Sequence, residues 1–349
     1  ANGVIVYTTK RGARNQKLRV DYNGMFGVTT PGVGLDMTTP QQYADITWQA
    51  ERNTAQIQGR APEFGHAQLG TGPNPVMPYY LSLIARDPQT GAFSVLSGQP
   101  GPLSAAQIEQ QREWYNINPR VGGIRQLVRA ATGEGTDWYE AITQNAPIQR
   151  HSLGFNGGTE SSRFYIGFGL QEQEGIVINN KFRRYSLRAN SEFDLSKRIR
   201  VGQNFQATYR QTLGALGDAG GRGLSDDENV ILSAFRMPSF IPIYDEFGGY
   251  AGTASRGFNN PRNPVAERDG IVNDRNFNAN VFGNIYGELD IIDNLTFRTS
   301  IGGQYNNNYF WNYSRLQYEN SENNSAFGYG EGGGFNFGWV FTNTLSYKK

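Results

Sequence analysis

The chain has 349 residues with 32 Lys plus Arg against 31 Asp plus Glu, a formal net charge of +1, and its 21 Phe and 19 Tyr make it too aromatic for a disordered segment. Interspersed, balanced charge gives no electrostatic footprint for nucleic acid, and zero cysteines exclude disulfide scaffolds, thiolate metal sites and cysteine nucleophiles. The longest apolar run, Val4 to Tyr7, excludes a membrane-spanning helix, which needs roughly 20 residues, but not a spanning strand, which needs only about 10 of alternating character.

Forty-four glycines and 32 asparagines mark a chain with many turns. It opens at Ala1 without an initiator Met or a signal peptide and ends at Lys348-Lys349 without an obvious stop, so both ends read as cuts from something larger. In chain order, alternation of period two predicts a first strand over 18 to 28. Helical character follows at Gln41 to Gln58 after Pro40, at Ser104 to Tyr115 with a serine cap, and over Thr136 to Ile142. These helices read as ornaments of a long loop. Strands are then expected at 147 to 157, where Ile148 is out of phase with Leu153 and Phe155, and at 161 to 171. The clearest case is 185 to 193: Tyr185, Leu187, Ala189 and Phe193 share one face, and Ser186, Arg188, Asn190 and Glu192 the other. Further strands are expected at 198 to 210, 277 to 290, 295 to 305 and 335 to 347, eight in all.

A soluble sandwich alternates too, so the spacing of the turns decides. The connections at 157 to 162, 194 to 198 and 292 to 295 are short, while those at about 30 to 146, 172 to 182, 211 to 275 and 312 to 334 are long. Short and long strictly take turns, as in outer-membrane barrels with short periplasmic turns and longer extracellular loops. The fold class is therefore an all-β transmembrane antiparallel β-barrel with small helices in its loops.

Particular residues sharpen this. Ala1-Asn2-Gly3-Val4-Ile5-Val6-Tyr7-Thr8-Thr9-Lys10-Arg11-Gly12, Leu35-Asp36-Met37 with Gln42-Tyr43-Ala44, Thr136-Asp137-Trp138, Gly157-Gly158, Gln173-Glu174-Gly175-Ile176-Val177, Tyr244-Asp245 and Asn263-Pro264-Val265-Ala266 occur in the order in which similar stretches occur in one family. The chain resembles a SusC/RagA-type TonB-dependent outer-membrane transporter. The resemblance implies a 22-stranded barrel around an N-terminal plug, of which residues 1–17 are the last plug strand and linker and residues 18–349 the first part of the barrel. It also implies active import of a glycan or peptide nutrient across the outer membrane of a Gram-negative bacterium of the Bacteroidota. The implied partners are a SusD-like lipoprotein, outer-membrane lipid, and TonB with ExbB and ExbD, reached through a segment outside this chain. No enzyme activity, cofactor, metal or nucleic-acid partner is implied. The competing readings are a soluble or surface-anchored all-β carbohydrate-binding module or hydrolase, and a passive porin or adhesion barrel.

Candidate residues follow from the faces. Arg188, Asn190, Glu192, Arg200, Asn204, Gln206, Arg210, Arg298 and Gln304 are expected to face the lumen, where they would solvate the interior, meet the plug or line a path. Tyr185, Phe193, Phe277, Phe297, Phe337, Trp339 and Tyr347 are expected to face lipid. Tyr244, Tyr309, Trp311 and Tyr313 are read as loop aromatics that contact substrate, with an aromatic girdle as the alternative for the last three. Asp226, Asp227, Glu228, Asp245 and Glu246 read as solvated loop charges, because no calcium-loop or paired-carboxylate spacing surrounds them. Gly332 to Gly334 lies ahead of a strand and makes no phosphate cradle.

Overall fold

A computed structural model describes residues 12–81, 83–96, 98, 101–118, 127–214, 229–322 and 326–348. Residues 1–11 of the expected plug strand and linker (1–17) and the acidic run Asp226-Asp227-Glu228 lie outside the described residues. Eight strands form one sheet: β1 (Gln16–Thr29), β4 (Ala146–Gly158), β5 (Ser162–Glu174), β6 (Lys181–Asp194), β7 (Ile199–Leu213), β8 (Arg275–Ile292), β9 (Leu295–Ser314) and β10 (Gly328–Tyr347). A two-stranded hairpin, β2 (Leu83–Arg86) with β3 (Phe93–Leu96), lies within the first long loop. The large sheet runs in strict chain order with every neighbour antiparallel, so each wall strand pairs with the next one along the chain.

The pairing register shows why the alternation was readable. Leu153 lies opposite Phe168, Phe168 opposite Leu187, Leu187 opposite Ala207, Ala207 opposite Val281, Val281 opposite Tyr305 and Tyr305 opposite Phe337. One apolar row thus crosses the sheet, as it must when side chains repeat every two residues and the ladder holds its register. Ile148, out of phase as expected, pairs with Gly27 and Gln173 on the opposite face. The apolar face is not a core: Tyr185, Phe193, Phe337, Trp339 and Tyr347 are all exposed, Trp339 by 69%. Among the described residues no helix is long and apolar enough to cross a membrane.

Every wall strand extends past its expected end on the long-loop side. On β4 to β7 the outward face there turns polar, with Gln149, Glu172, Arg183 and Gln211 in one row, so both faces are wet and the period-two signal fades while the ladder continues. β9 reaches Ser314 and β10 begins at Gly328, so Tyr309, Trp311, Tyr313 and Gly332 to Gly334 are strand residues, not loop residues.

The long loops also differ from expectation. Loops 30–145 and 214–274 share a hydrophobic core of Leu81, Val128, Trp138, Ile142, Met237, Phe240, Ile241, Ala251 and Val265. The helices α1 (Pro40–Gln58), α2 (Ala105–Trp114), α3 (Trp138–Ile142), α4 (Val230–Arg236) and α5 (Pro264–Gly270) belong to this cap. They are structural members rather than ornaments. Thr39 and Gln42 form a reciprocal capping box at the start of α1, and Gly59, with φ of 64°, closes it in a left-handed conformation that glycine adopts without strain.

Candidate functional site: the polar face of the wall and its loop cap

Each row of the polar face is fixed by the ladder. Toward the short turns, Glu192 on β6 gathers Arg163 (2.8 Å), the Tyr286 hydroxyl (2.8 Å) and Arg14 (3.4 Å). Arg14 also donates to Asp194 at 2.7 Å. One row further toward the turns, Arg200 meets Glu288 at 3.1 Å and Asp290 at 3.4 Å, and Arg298 meets Glu288 at 2.7 Å. Arg298 also lies 3.9 Å over the Tyr286 ring, a cation-π contact that shields the half-buried pairs beneath it. Acids and bases at opposite positions of adjacent strands are the favourable cross-strand arrangement.

Halfway up, the charges give way to amides. Arg188, Asn190, Asn204, Gln206, Phe282 and Asn284 line a recess of about 490 Å³. Arg188 donates to the Gln206 carbonyl oxygen at 2.6 Å, and Asn204 to that of Asn284 at 2.9 Å. Further toward the long loops, Arg210 donates to Asn278 at 2.7 Å. All nine residues expected at the lumen, Arg188, Asn190, Glu192, Arg200, Asn204, Gln206, Arg210, Arg298 and Gln304, therefore share this one face, divided between a paired lower tier and an amide-rich upper tier.

The four expected substrate aromatics do not share a site. Tyr309 and Trp311 stack around Phe277 on the outward face, at 6.3 and 5.2 Å between ring centroids, and Tyr313 packs on Tyr329 at 5.1 Å. Continued through Tyr209 and Tyr185, they form a band across the apolar face on its long-loop side, the place of an interfacial girdle. Odd numbering on β9 puts them there, on the side opposite Asn308 and Asn312. Tyr244 alone stays in a loop, where it bridges to Tyr250.

Asp245 is not a solvated charge. It is buried, its Oδ1 accepts from the backbone N–H groups of Phe247 and Gly249 at 2.9 and 2.8 Å, and its Oδ2 accepts from the Tyr115 hydroxyl at 3.2 Å. Burial outweighs these bonds and pushes its carboxyl up, and burial also raises the Tyr115 phenol. Glu246 pairs with Arg129 at 2.9 Å. Arg268 is buried and donates to the carbonyls of Ile178 at 2.9 Å and Gly214 at 2.7 Å, and burial pulls its guanidinium down to about 10. It ties the loop between β5 and β6 to the one after β7. Sequence reasoning missed these contacts, because no spacing announces a contact between loops.

Comparison with known proteins fits this geometry. No family model matches the chain. It is 30% identical over 277 residues to TonB-dependent receptor P3 of Formosa agariphila, covering 77% of this chain and 25% of that protein. It is 24% identical to TonB-dependent receptor SusC of Bacteroides thetaiotaomicron, covering 86% of this chain and 31% of that one. The fold matches the structure of the RagAB peptide transporter over 98% of this chain and 34% of that one, with a TM-score of 0.64 and 18% identity. The chain is of the SusC/RagA type of TonB-dependent receptor. It spans about a quarter to a third of the length of these relatives, and its sheet is a stretch of a receptor barrel rather than a closed barrel of eight strands. The relatives are receptors by name, not enzymes, so the reading as a soluble sugar-binding module or hydrolase falls. Receptors of this family are outer-membrane proteins, and the apolar face with its aromatic band is the surface such a protein turns to lipid.

Proposed function

We propose that this SusC/RagA-type segment is the first part of the barrel wall of an active importer, which takes up a glycan or peptide nutrient with energy delivered through TonB and with a SusD-like lipoprotein at its outer mouth. Supporting this above all is the continuous eight-strand meander, apolar on one face and polar on the other, whose alternate connections are long. In this reading residues 1–17 are the end of the plug and its linker, and residues 18–349 are wall. The entry to β1 fits that division. Arg14 reaches Glu192 and Asp194 from the polar side, and a Cβ on Gly12 would fall within 2.9 Å of the β4 and β5 backbones. A chain arriving from the interior requires both features. The lower tier of ion pairs then faces the plug, and the upper tier faces the hydrated path. Tyr244 is the remaining aromatic candidate for substrate contact in the loops.

The test is uptake by cells that carry the complete gene, with and without tonB, together with purification through a tag on the receptor. TonB-dependent uptake of an oligomer too large for porins and co-purification of a surface lipoprotein are expected. Uptake that persists without TonB would leave a passive porin in its place.

A further inference from the structure

The upper tier holds a row the import reading does not use. Met25, Arg150, Gln171, Arg184, Arg210, Asn278, Asn308 and Gly334 are successive cross-strand partners on the polar face. Three of the eight are arginines, all exposed, and Arg184 stands directly opposite Arg210. Adjacent strands lie about 5 Å apart, and like charges directly opposite destabilise a sheet. Arg188 follows two rows below. Among the described residues no carboxylate forms an ion pair with any of the four. Arg188 and Arg210 donate to amide oxygens.

Two contrasts make this row unusual within the same sheet. On the outward face of the same strand ends, Arg183 is paired with Glu172 and Lys181 with Glu174. In the lower tier of the polar face, Arg14, Arg163, Arg200 and Arg298 each have a carboxylate. Among the described residues the belt's three arginines, Arg150, Arg184 and Arg210, have no such carboxylate. The row beneath it is neutral and rich in hydroxyl and amide groups, with Ser152, Ser186, Thr208, Asn280, Asn306 and Asn336 in register.

We propose that this belt binds the acidic groups of an anionic oligosaccharide, a chain of sugars carrying carboxylates or sulfate esters. The inference rests on the import reading and names its substrate class. The arginine forks take the anionic groups through charge-assisted, bidentate hydrogen bonds, and the flanking amides and hydroxyls take the sugar hydroxyls. An acidic peptide would satisfy the arginines but offers the neutral row only one N–H and one C=O per residue, where a sugar ring offers several hydroxyls.

The test uses the complete receptor in detergent, titrated calorimetrically with hexagalacturonate, a dextran sulfate oligomer, maltohexaose and hexaglutamate. At least one anionic glycan is expected to bind more tightly than both maltohexaose and hexaglutamate, and to weaken as NaCl rises from about 50 to about 300 mM. Arg184→Gln with Arg210→Gln is expected to weaken that binding roughly 10-fold or more, the size of one or two charge-assisted bonds. Arg183→Gln, at the same height on the outward face, is expected to leave it unchanged. Arg188→Gln serves as a second variant should the double variant fail to insert. Equal affinity for maltohexaose, parent-like binding by the double variant, or tightest binding of hexaglutamate would each overturn the proposal, the last in favour of an acidic peptide. A receptor that supports TonB-dependent uptake yet binds neither anionic glycan overturns the belt and leaves the import reading standing. Uptake that does not need TonB removes the import reading itself.

Discussion

The wall and the cap are held together by different means. In the wall, the residues are fixed by ladder hydrogen bonds to both neighbours and by polar-face ion pairs such as Arg298 with Glu288, while its large apolar side chains stay exposed on one face. In the cap, Trp48, Trp138, Phe240 and Ile241 are fully buried, and irregular backbone is tied by side chains that each satisfy several groups. The wall's apolar surface is finished by lipid, whereas the cap finishes its own. A loop region with its own core holds a fixed shape, which a flexible loop does not.

The largest effect that tests this difference is Trp138→Ala. Its ring is buried in the cap core and its indole N–H donates to the Pro238 carbonyl at 3.4 Å. The expected loss is about 3–5 kcal/mol of cap stability, read as proteolysis within 30–145 in the detergent-solubilised receptor while the wall stays resistant. Phe337→Ala, of similar chemistry but 65% exposed on the outward face, is expected to leave the cap's protease resistance unchanged. Equal cap lability in the two variants would erase the distinction.

Next comes Asn263. Its Oδ1 caps α5 by accepting from Val265 and Ala266, both at 3.0 Å, and its Nδ2 donates to the carbonyls of Ile243 at 3.0 Å and Ala251 at 2.7 Å. Pro264 follows at the first helical position, where its missing N–H costs nothing. Asn263→Ala should cost about 2–3 kcal/mol, a lost cap plus orphaned buried carbonyls. Asn263→Asp, which keeps the cap but sets a buried carboxylate oxygen against the Ile243 and Ala251 carbonyls, should cost at least as much as the alanine in thermal denaturation. Smaller again, Arg268→Met should cost about 1–2 kcal/mol. Hydrogen exchange should locate the change at Ile178 and around Gly214, whose carbonyl keeps its bond from Asn180 at 2.9 Å.

The same division explains what could be read from the sequence. All eight wall strands were legible because one face needs apolar side chains and the other does not, so Tyr185 to Phe193 and Phe277 to Leu289 alternate in the chain itself. Their ends were not, because the period fades at Glu172 and Arg183, where both faces are wet. Tyr309, Trp311 and Tyr313 lie past the expected end of β9, and counting their odd numbering forward from Phe297 and Ile301 selects the girdle of the two readings held for them. The start of α2 was legible from its serine cap at Ser104 and that of α1 from Pro40, while the caps at Thr39 and Asp137 were not read. The cap core was not, since Leu81, Trp138 and Phe240 meet only in three dimensions. Asp245 was misread for the same reason: its partner Tyr115 is 130 residues away.

The finest prediction concerns pH and the cap alone. His66 in the first long loop is held by its Nε2, 2.9 Å from the Gly257 carbonyl, and its Nδ1 accepts from the Gln68 N–H at 3.2 Å. A carbonyl partner requires the proton on Nε2, so the ring is neutral with both nitrogens used, and Phe258 packs beside it. Burial pulls its basicity below the usual histidine value. The unfolded chain therefore binds the proton more readily, with a pKa near 6.5, and the stability His66 contributes is present above that pH and lost as pH falls below it. Protonating Nδ1 would point a second N–H at the Gln68 donor and loosen the tie between loops 30–145 and 214–274. Cap melting should fall between about pH 7 and pH 5 in the parent, and that part of the fall should vanish in His66→Gln. A fall of the same size in the variant would assign the pH dependence to another group.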